Sequence, residues 1–476
     1  MSETRKPVAP DLFDLAAKAV GDCFERIQEF KLAKKYIGSY TSWPEVSLFK
    51  NGMPHFHIGS ISSGPTDYTQ VFSRWSGEPL INPDEVPSIQ AFLKYNPAPE
   101  NLRDHFKTED SSVNSIFRNQ LWFFLTALIE RYMHLHGEDE FSVDRLLPLY
   151  LPLEAGLFNE KLAVDIVVPI SFLHFDFDDI QLDGNSGIMR MGHDFQVARA
   201  LESVYDHGTN YIVLGAATHA LILRDYELTN NHWIAIMSVG SNISAYPQEE
   251  IDAFFTALRT VTGYTTGYAQ LILLNRGWTH KYKANIPPLE GTAVRRYPVE
   301  FESDWLREVP TVTVEEATEV GRVYGRLRGL INNNQLRIAG RRLNLCYLRQ
   351  DEEDAILDAT IGLESLLVAG DRNEITHKLA LRMAALSTLA KDKKYNRVKV
   401  FQDIKDIYSF RSGVAHGDSK KANKKREIAI NDKETVPTVK AATDYLRMAL
   451  RILLEHPQFL DPGKIDEELL LADGVK

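Results

Sequence analysis

The residues best suited to chemistry lie together in Phe410-Arg411-Ser412-Gly413-Val414-Ala415-His416-Gly417. An arginine and a histidine with four residues between them can meet the two needs of RNA phosphodiester cleavage. The guanidinium neutralises the phosphate, and the imidazole moves a proton at neutral pH. Spacing alone does not select this pair, because the chain holds four of the same form: Arg131–His136, Arg372–His377, Arg411–His416 and Arg451–His456. On a regular helix Arg411 and His416 would stand about 140° apart and share no face. Gly413 and Gly417 predict that the helix ends here, with Gly417 as the cap that lets His416 swing clear of the last turn.

Charge supports a polyanion at this place. Residues 391–426 contain twelve Lys or Arg against four Asp, in a 476-residue chain whose net charge is −11. A basic segment in an acidic protein fits a nucleic-acid backbone held locally, with Lys420, Lys421, Lys424, Lys425 and Arg426 as the residues to hold it. The bland alternative is a solvated loop. Two cysteines far apart, Cys23 and Cys346, predict neither a disulfide framework nor a zinc site. The apolar runs are too short to cross a bilayer, and the first residues lack the basic-then-apolar order of a secretory signal. These features lead us to expect a reduced, cytoplasmic protein with no membrane partner.

The elements that must position the pair follow from periodicity. Residues 11–36 read as an amphipathic helix, with Leu12, Leu15, Ala16, Ala19, Cys23, Ile27 and Phe30 on one face. Short aromatic runs broken by Gly, Pro, Asn and Ser over 39–99 predict short strands and long turns. Residues 112–135 read as a buried helix. A mixed α/β pattern follows, with strands at 163–170, 211–214 and 220–223 and a hairpin of 172–180 with 188–191. Helices are expected at 194–204 and 247–261. Residues 286–310, with three proline sites, are the linker candidate. Beyond them, helices are expected at about 314–347, 351–369, 374–390, 396–416 and 436–455. The fold class is therefore α+β, a mixed α/β region over 1–300 followed by an all-α bundle over 311–460 and a tail over 461–476. A further break in the first region is expected near 140–160.

Three blocks in the C-terminal helices carry a resemblance. The first is Ala339-Gly340-Arg341-Arg342-Leu343, continued by residues 351–358 and Ile361-Gly362-Leu363-Glu364-Ser365-Leu366-Leu367. The second is Glu374-Ile375-Thr376-His377-Lys378-Leu379, and the third is Ile407-Tyr408-Ser409 running into 410–417. In order and spacing they resemble a HEPN domain of the ApeA-like subgroup associated with antiphage defence, over about 150 of the 476 residues. The family's functional pair sits at the end of its penultimate long helix, which here is Arg411 and His416. The resemblance implies a homodimer in which the pairs of two subunits form one cleft. It also implies metal-independent endoribonuclease action, without cofactor, on tRNA or other RNA, leaving a 2′,3′-cyclic phosphate and a 5′-hydroxyl. Ser412, where many such ribonucleases have Asn, would hold the phosphate or orient Arg411, and Glu364 would hold Arg411 in place. The acidic first region would restrain the nuclease until a phage-derived trigger arrives. The alternative function is a non-catalytic HEPN module that binds RNA, a nucleotide or a protein partner.

Other groupings are weaker. His55–His57 and His134–His136 lack the carboxylates or thiols that would complete a metal site. Asp176 and Asp178 would share one face of an alternating strand, which describes a solvated edge. Tyr324, Tyr347 and Tyr408 read as core aromatics. Arg372–His377 falls in an interhelical connection, and the pairs at Arg131 and Arg451 read as surface residues.

Overall fold

The computed structural model describes residues 6–57, 64–72, 78–96, 111–203, 210–230, 233–295, 308–330, 332–368, 374–390, 396–418, 420, 423, 425–429 and 434–471. It divides into two compact units that interleave along the chain. The first comprises 1–169, 190–246 and 268–297, and the second comprises 170–189, 247–267 and 298–476. In place of the expected division at a single linker, the chain crosses between the units five times.

In the first unit the helices are α1 (Pro10–Leu32), α2 (Pro87–Leu93), α3 (Ser111–His136), α4 (Val143–Phe158), α5 (His193–Glu202), α6 (Tyr211–Gly215) and α7 (Trp233–Ser241). Its strands are β1 (Glu45–Leu48), β2 (Pro54–His57), β3 (Lys161–Pro169), β4 (His219–Thr229), β5 (Gln270–Asn275) and β6 (Gly291–Val294). Leu12, Ala16, Cys23 and Ile27 of α1 pack with Leu121, Leu128 and Tyr132 of α3 and Leu146 and Tyr150 of α4 in one apolar core. The spacing of these residues is what puts them on single helix faces. Strands β4, β3, β5 and β6 pair antiparallel in that order. From Val164 onward β3 is buried at every residue, and apart from Asp165 its sequence there is apolar instead of alternating.

Two expectations change here. Residues 211–214 form α6 instead of a strand, because the Asn210 side chain accepts the Ile212 N–H at 2.8 Å and so nucleates a helical turn. The proposed linker contributes β6, where Ala293 stands opposite Leu271 in the sheet. The expected break near 140–160 is occupied by α4, which is wholly inside the first unit.

The second unit is mainly helical: α8 (Gln248–Thr262), α9 (Val314–Gly329), α10 (Asn334–Cys346), α11 (Glu352–Leu367), α12 (Ile375–Leu386), α13 (Arg397–Ala415), α14 (Thr438–Glu455) and α15 (Pro462–Ile465). A capping box starts α9, with Thr313 Oγ1 accepting the Glu316 N–H and Glu316 returning to the Thr313 N–H. The single helix expected over 314–347 is two, since the Asn333 side chain caps a new helix by accepting the Leu336 N–H. Helix α8 belongs to this unit although it lies far upstream. Asn344 of α10 donates to Asp252 O and Thr256 Oγ1, and Arg447 of α14 donates to Arg259 O at 2.9 Å.

The unit is not purely α. Short strands Glu427–Ala429 and Thr435–Pro437 pair antiparallel, and Thr311–Val312 pairs in parallel with His174–Phe175. The expected hairpin forms between Asp179–Gln181 and Ser186–Arg190. The terminal segment is docked, with Ile465 fully buried and Asp466 paired to Arg382 at 2.6 Å.

Candidate functional site

Helix α13 starts at Asn396, whose side chain accepts the N–H groups of Val398 and Lys399. It ends as its glycines predict. His416 is the C-cap, Gly417 adopts φ +67°, and the N–H groups of Gly417 and Asp418 return to Val414 O and Gly413 O. That double return is a Schellman motif, and it satisfies the carbonyls that the last turn would otherwise leave bare. His416 is consequently exposed at the helix end.

Arg411 lies one turn earlier and is half-buried. Its Nε is enclosed without a hydrogen-bond partner. Ser412 beside it is also half-buried. Glu364 of α11 does not hold Arg411, because its Oε1 accepts the Tyr408 hydroxyl at 2.5 Å, and no ion pair joins Glu364 to Arg411 among the described residues. Tyr408 lies three residues before Arg411, on the same helix face, and reaches α11 first. Burial, followed by the hydrogen bond and charge of Glu364, pushes the Tyr408 hydroxyl well above its ordinary pKa, while the Arg411 charge acts in the opposite direction.

The basic segment is less open than its composition suggests. Lys425 Nζ stands 2.7 Å from Asp406, and Arg426 Nη2 stands 2.8 Å from Glu352. A shallow depression beside α13, lined by Phe410, Val414, Asp351, Glu352, Glu353 and Arg426, carries mostly negative charge. Its acids are there because Asp351 caps α11 and Glu352 and Glu353 complement the positive end of that helix. Lys420 is exposed, whereas Lys421 and Lys424 lie outside the described residues.

The competing Arg/His pairs have structural partners. Arg131 Nη1 donates to the Ala284 and Ile286 carbonyls. Arg451 pairs with Glu319 at 3.6 Å, and His456 caps α14. Arg372 lies outside the described residues, and the His377 ring meets the Phe401 ring edge-on. The His55 and His57 rings lie 3.9 Å apart, but no group of three or more His, Cys, Asp or Glu able to hold a metal occurs among the described residues. Asp176 and Asp178 are exposed on a bend instead of a strand.

Buried carboxylates of the first unit were not singled out from the sequence. Glu130 accepts the Tyr68 and Ala284 N–H groups and the Tyr40 hydroxyl, and stands 2.9 Å from His134. Glu154 accepts the Val8 and Ala9 N–H groups at the start of α1. Glu290 accepts Thr279 Oγ1 at 2.7 Å and the His280 N–H at 2.9 Å. Burial pushes Glu290 upward, but its hydrogen bond to His280 and the charges of His280 and Lys281 outweigh this and hold the carboxyl below its ordinary range. One signal was available, since Glu130 directly follows the apolar run of residues 121–129.

No described helix is long and apolar enough to cross a membrane. Compared with known proteins, the chain matches no family model, no curated protein and no solved structure.

Proposed function

We propose that this chain is a metal-independent endoribonuclease whose reacting groups are Arg411 and His416. The observation that carries the reading is the end of α13, where an exposed imidazole at a glycine-closed cap follows an arginine whose Nε has no partner. The chemistry is transesterification. His416 removes the 2′-OH proton as the O2′–P bond forms, and a second acid, His416 of another copy, protonates O5′ as the P–O5′ bond breaks. Arg411 meets the charge that builds on the phosphorane oxygens. Two copies are invoked because Arg411 and His416 face differently in one copy, so each copy would complete the other's site.

In this reading the RNA is tRNA or another cellular or phage transcript, cleavage serves antiphage defence, and the first unit restrains it until triggered. The ion pairs of Lys425 and Arg426 would open to release both cations for the backbone. Those same pairs favour a second reading, a HEPN-like module that holds a phosphate without turnover, because Lys425 and Arg426 are both paired with carboxylates at rest. Incubating the purified protein with total RNA in EDTA separates the two. The nuclease cuts and His416→Ala does not, whereas the module retains RNA and leaves it intact.

A further inference from the structure

Within the first unit, a cavity of about 350 Å³ lies between one face of α3 and the segment 279–283. Such a volume suits a small ligand. Gln120, Phe123, Phe124 and Ala127 recur at helical spacing, so α3 presents them together. The opposite wall is fixed by a close approach. Gly156 of α4 lies under Thr279, where a Cβ would strike the Thr279 carbonyl, and the Thr279 N–H donates to Pro152 O. Tyr40 and Tyr282 add two rings to a mainly apolar lining.

Most polar groups here are already committed. Glu290 is taken by Thr279 and His280, the Tyr40 hydroxyl by Glu130, and the Tyr282 hydroxyl by the Leu149 carbonyl. Two are not. Gln120 is only 6% exposed, and neither its Oε1 nor its Nε2 has a partner. Native proteins rarely leave a buried amide bare, and replacing it with an apolar residue would cost the empty protein nothing. Lys283 is half-buried, and among the described residues no ion pair or hydrogen bond engages its ammonium. Burial depresses its pKa and Lys281 acts with burial, while Glu202 and Asp67 oppose it.

We propose that this cavity is a mononucleotide site. The base lies among Phe123, Phe124, Tyr40 and Tyr282, its donor–acceptor edge pairs with the Gln120 amide, and its phosphate meets Lys283. A primary amide offers one donor and one acceptor side by side, which is the complement of a nucleobase edge. Aromatic walls favour a flat ring of any base type, so the amide supplies the selection. The inference stands apart from the reading of α13 and survives if that reading fails.

The test is calorimetric titration of the full-length protein with AMP, GMP, CMP and UMP, with the matching nucleosides and ribose 5-phosphate as comparators. At least one mononucleotide is expected to bind with a micromolar Kd, and ribose 5-phosphate about tenfold more weakly or less. Gln120→Leu is expected to raise the Tm of the ligand-free protein and to weaken the nucleotide about tenfold or more. Lys283→Met is expected to weaken the nucleotide while leaving its nucleoside within about twofold. No binding by any of the four at millimolar concentration, as for a cavity that holds only water, overturns the proposal. So does ribose 5-phosphate binding as tightly as the nucleotide, or unchanged affinity in both variants. The wild-type titration decides the matter even where a variant fails to fold.

Discussion

Gln120 of α3 and Arg411 of α13 each carry side-chain nitrogen that no hydrogen-bond partner meets, yet they sit in opposite surroundings. Around Gln120 most of the polar groups of the first unit are satisfied. Glu130, Glu154 and Glu290 each accept backbone N–H groups, and the nearby hydroxyls are already bonded. Around Arg411 the second unit is provisional. Its neighbour Tyr408 is tied to Glu364, while Lys425 and Arg426 are held by ion pairs at the surface. A bare group inside a satisfied frame points to a fixed site for a small molecule. In the proposed reading of α13, the unpartnered Arg411 Nε and the surface ion pairs of Lys425 and Arg426 belong to a surface that would rearrange around a large anion.

The contrast can be broken in several ways. The largest expected effect is at Glu290. Glu290→Ala strands Thr279 and His280 and should cost about 3–5 kcal/mol in urea unfolding. Because the folded-state pKa of Glu290 lies below its ordinary value of 4.5, this contribution is complete above that value. It should fade as pH falls through the lower folded-state value. A loss that is independent of pH would mean that the charge is not what holds the segment.

Tyr408→Phe should cost less, about 1–2 kcal/mol, since it removes one hydrogen bond to a half-buried carboxylate. It frees Glu364 to turn toward Arg411, so altered RNA cleavage with modest destabilisation is the expected outcome. Smaller again in stability is Glu352→Gln, which releases Arg426 from an exposed pair and should change unfolding by about 0.5 kcal/mol or less. Its informative readout is RNA retention, which should rise at low salt and fall steeply as salt is added. The smallest effect concerns the thiols, one in each unit. Burial, first among the causes, raises Cys23 and Cys346 to about 12, so neither should react with iodoacetamide in the native protein. In graded urea each should label as its own unit opens, which reads the two stabilities separately.

Local features were the legible ones. The apolar spacing of Leu12, Ala16, Cys23 and Ile27 marks α1, and Gly417 marks the end of α13. Single capping side chains decided what was misread. Asn210 turns an apparent strand into α6, and Asn333 cuts one long helix into two. The allegiance of α8 to the second unit rests on Arg259, Asn344 and Arg447, which lie far apart in sequence. The cavity was invisible for the same reason, since Gln120, Lys283 and Glu290 reach it from separate segments. The basic run after Gly417 was plain, but the pairing of Lys425 with Asp406 and of Arg426 with Glu352 depends on packing that no local pattern encodes.

The most direct test of the central claim is the chemistry of the RNA ends made by wild-type protein and by His416→Ala. The account predicts fragments with 2′,3′-cyclic phosphate and 5′-hydroxyl ends from the wild type in EDTA. The variant should form them about 10²–10⁴-fold more slowly. Intact RNA from the wild type, ends of another kind, or an undiminished rate in the variant would contradict it.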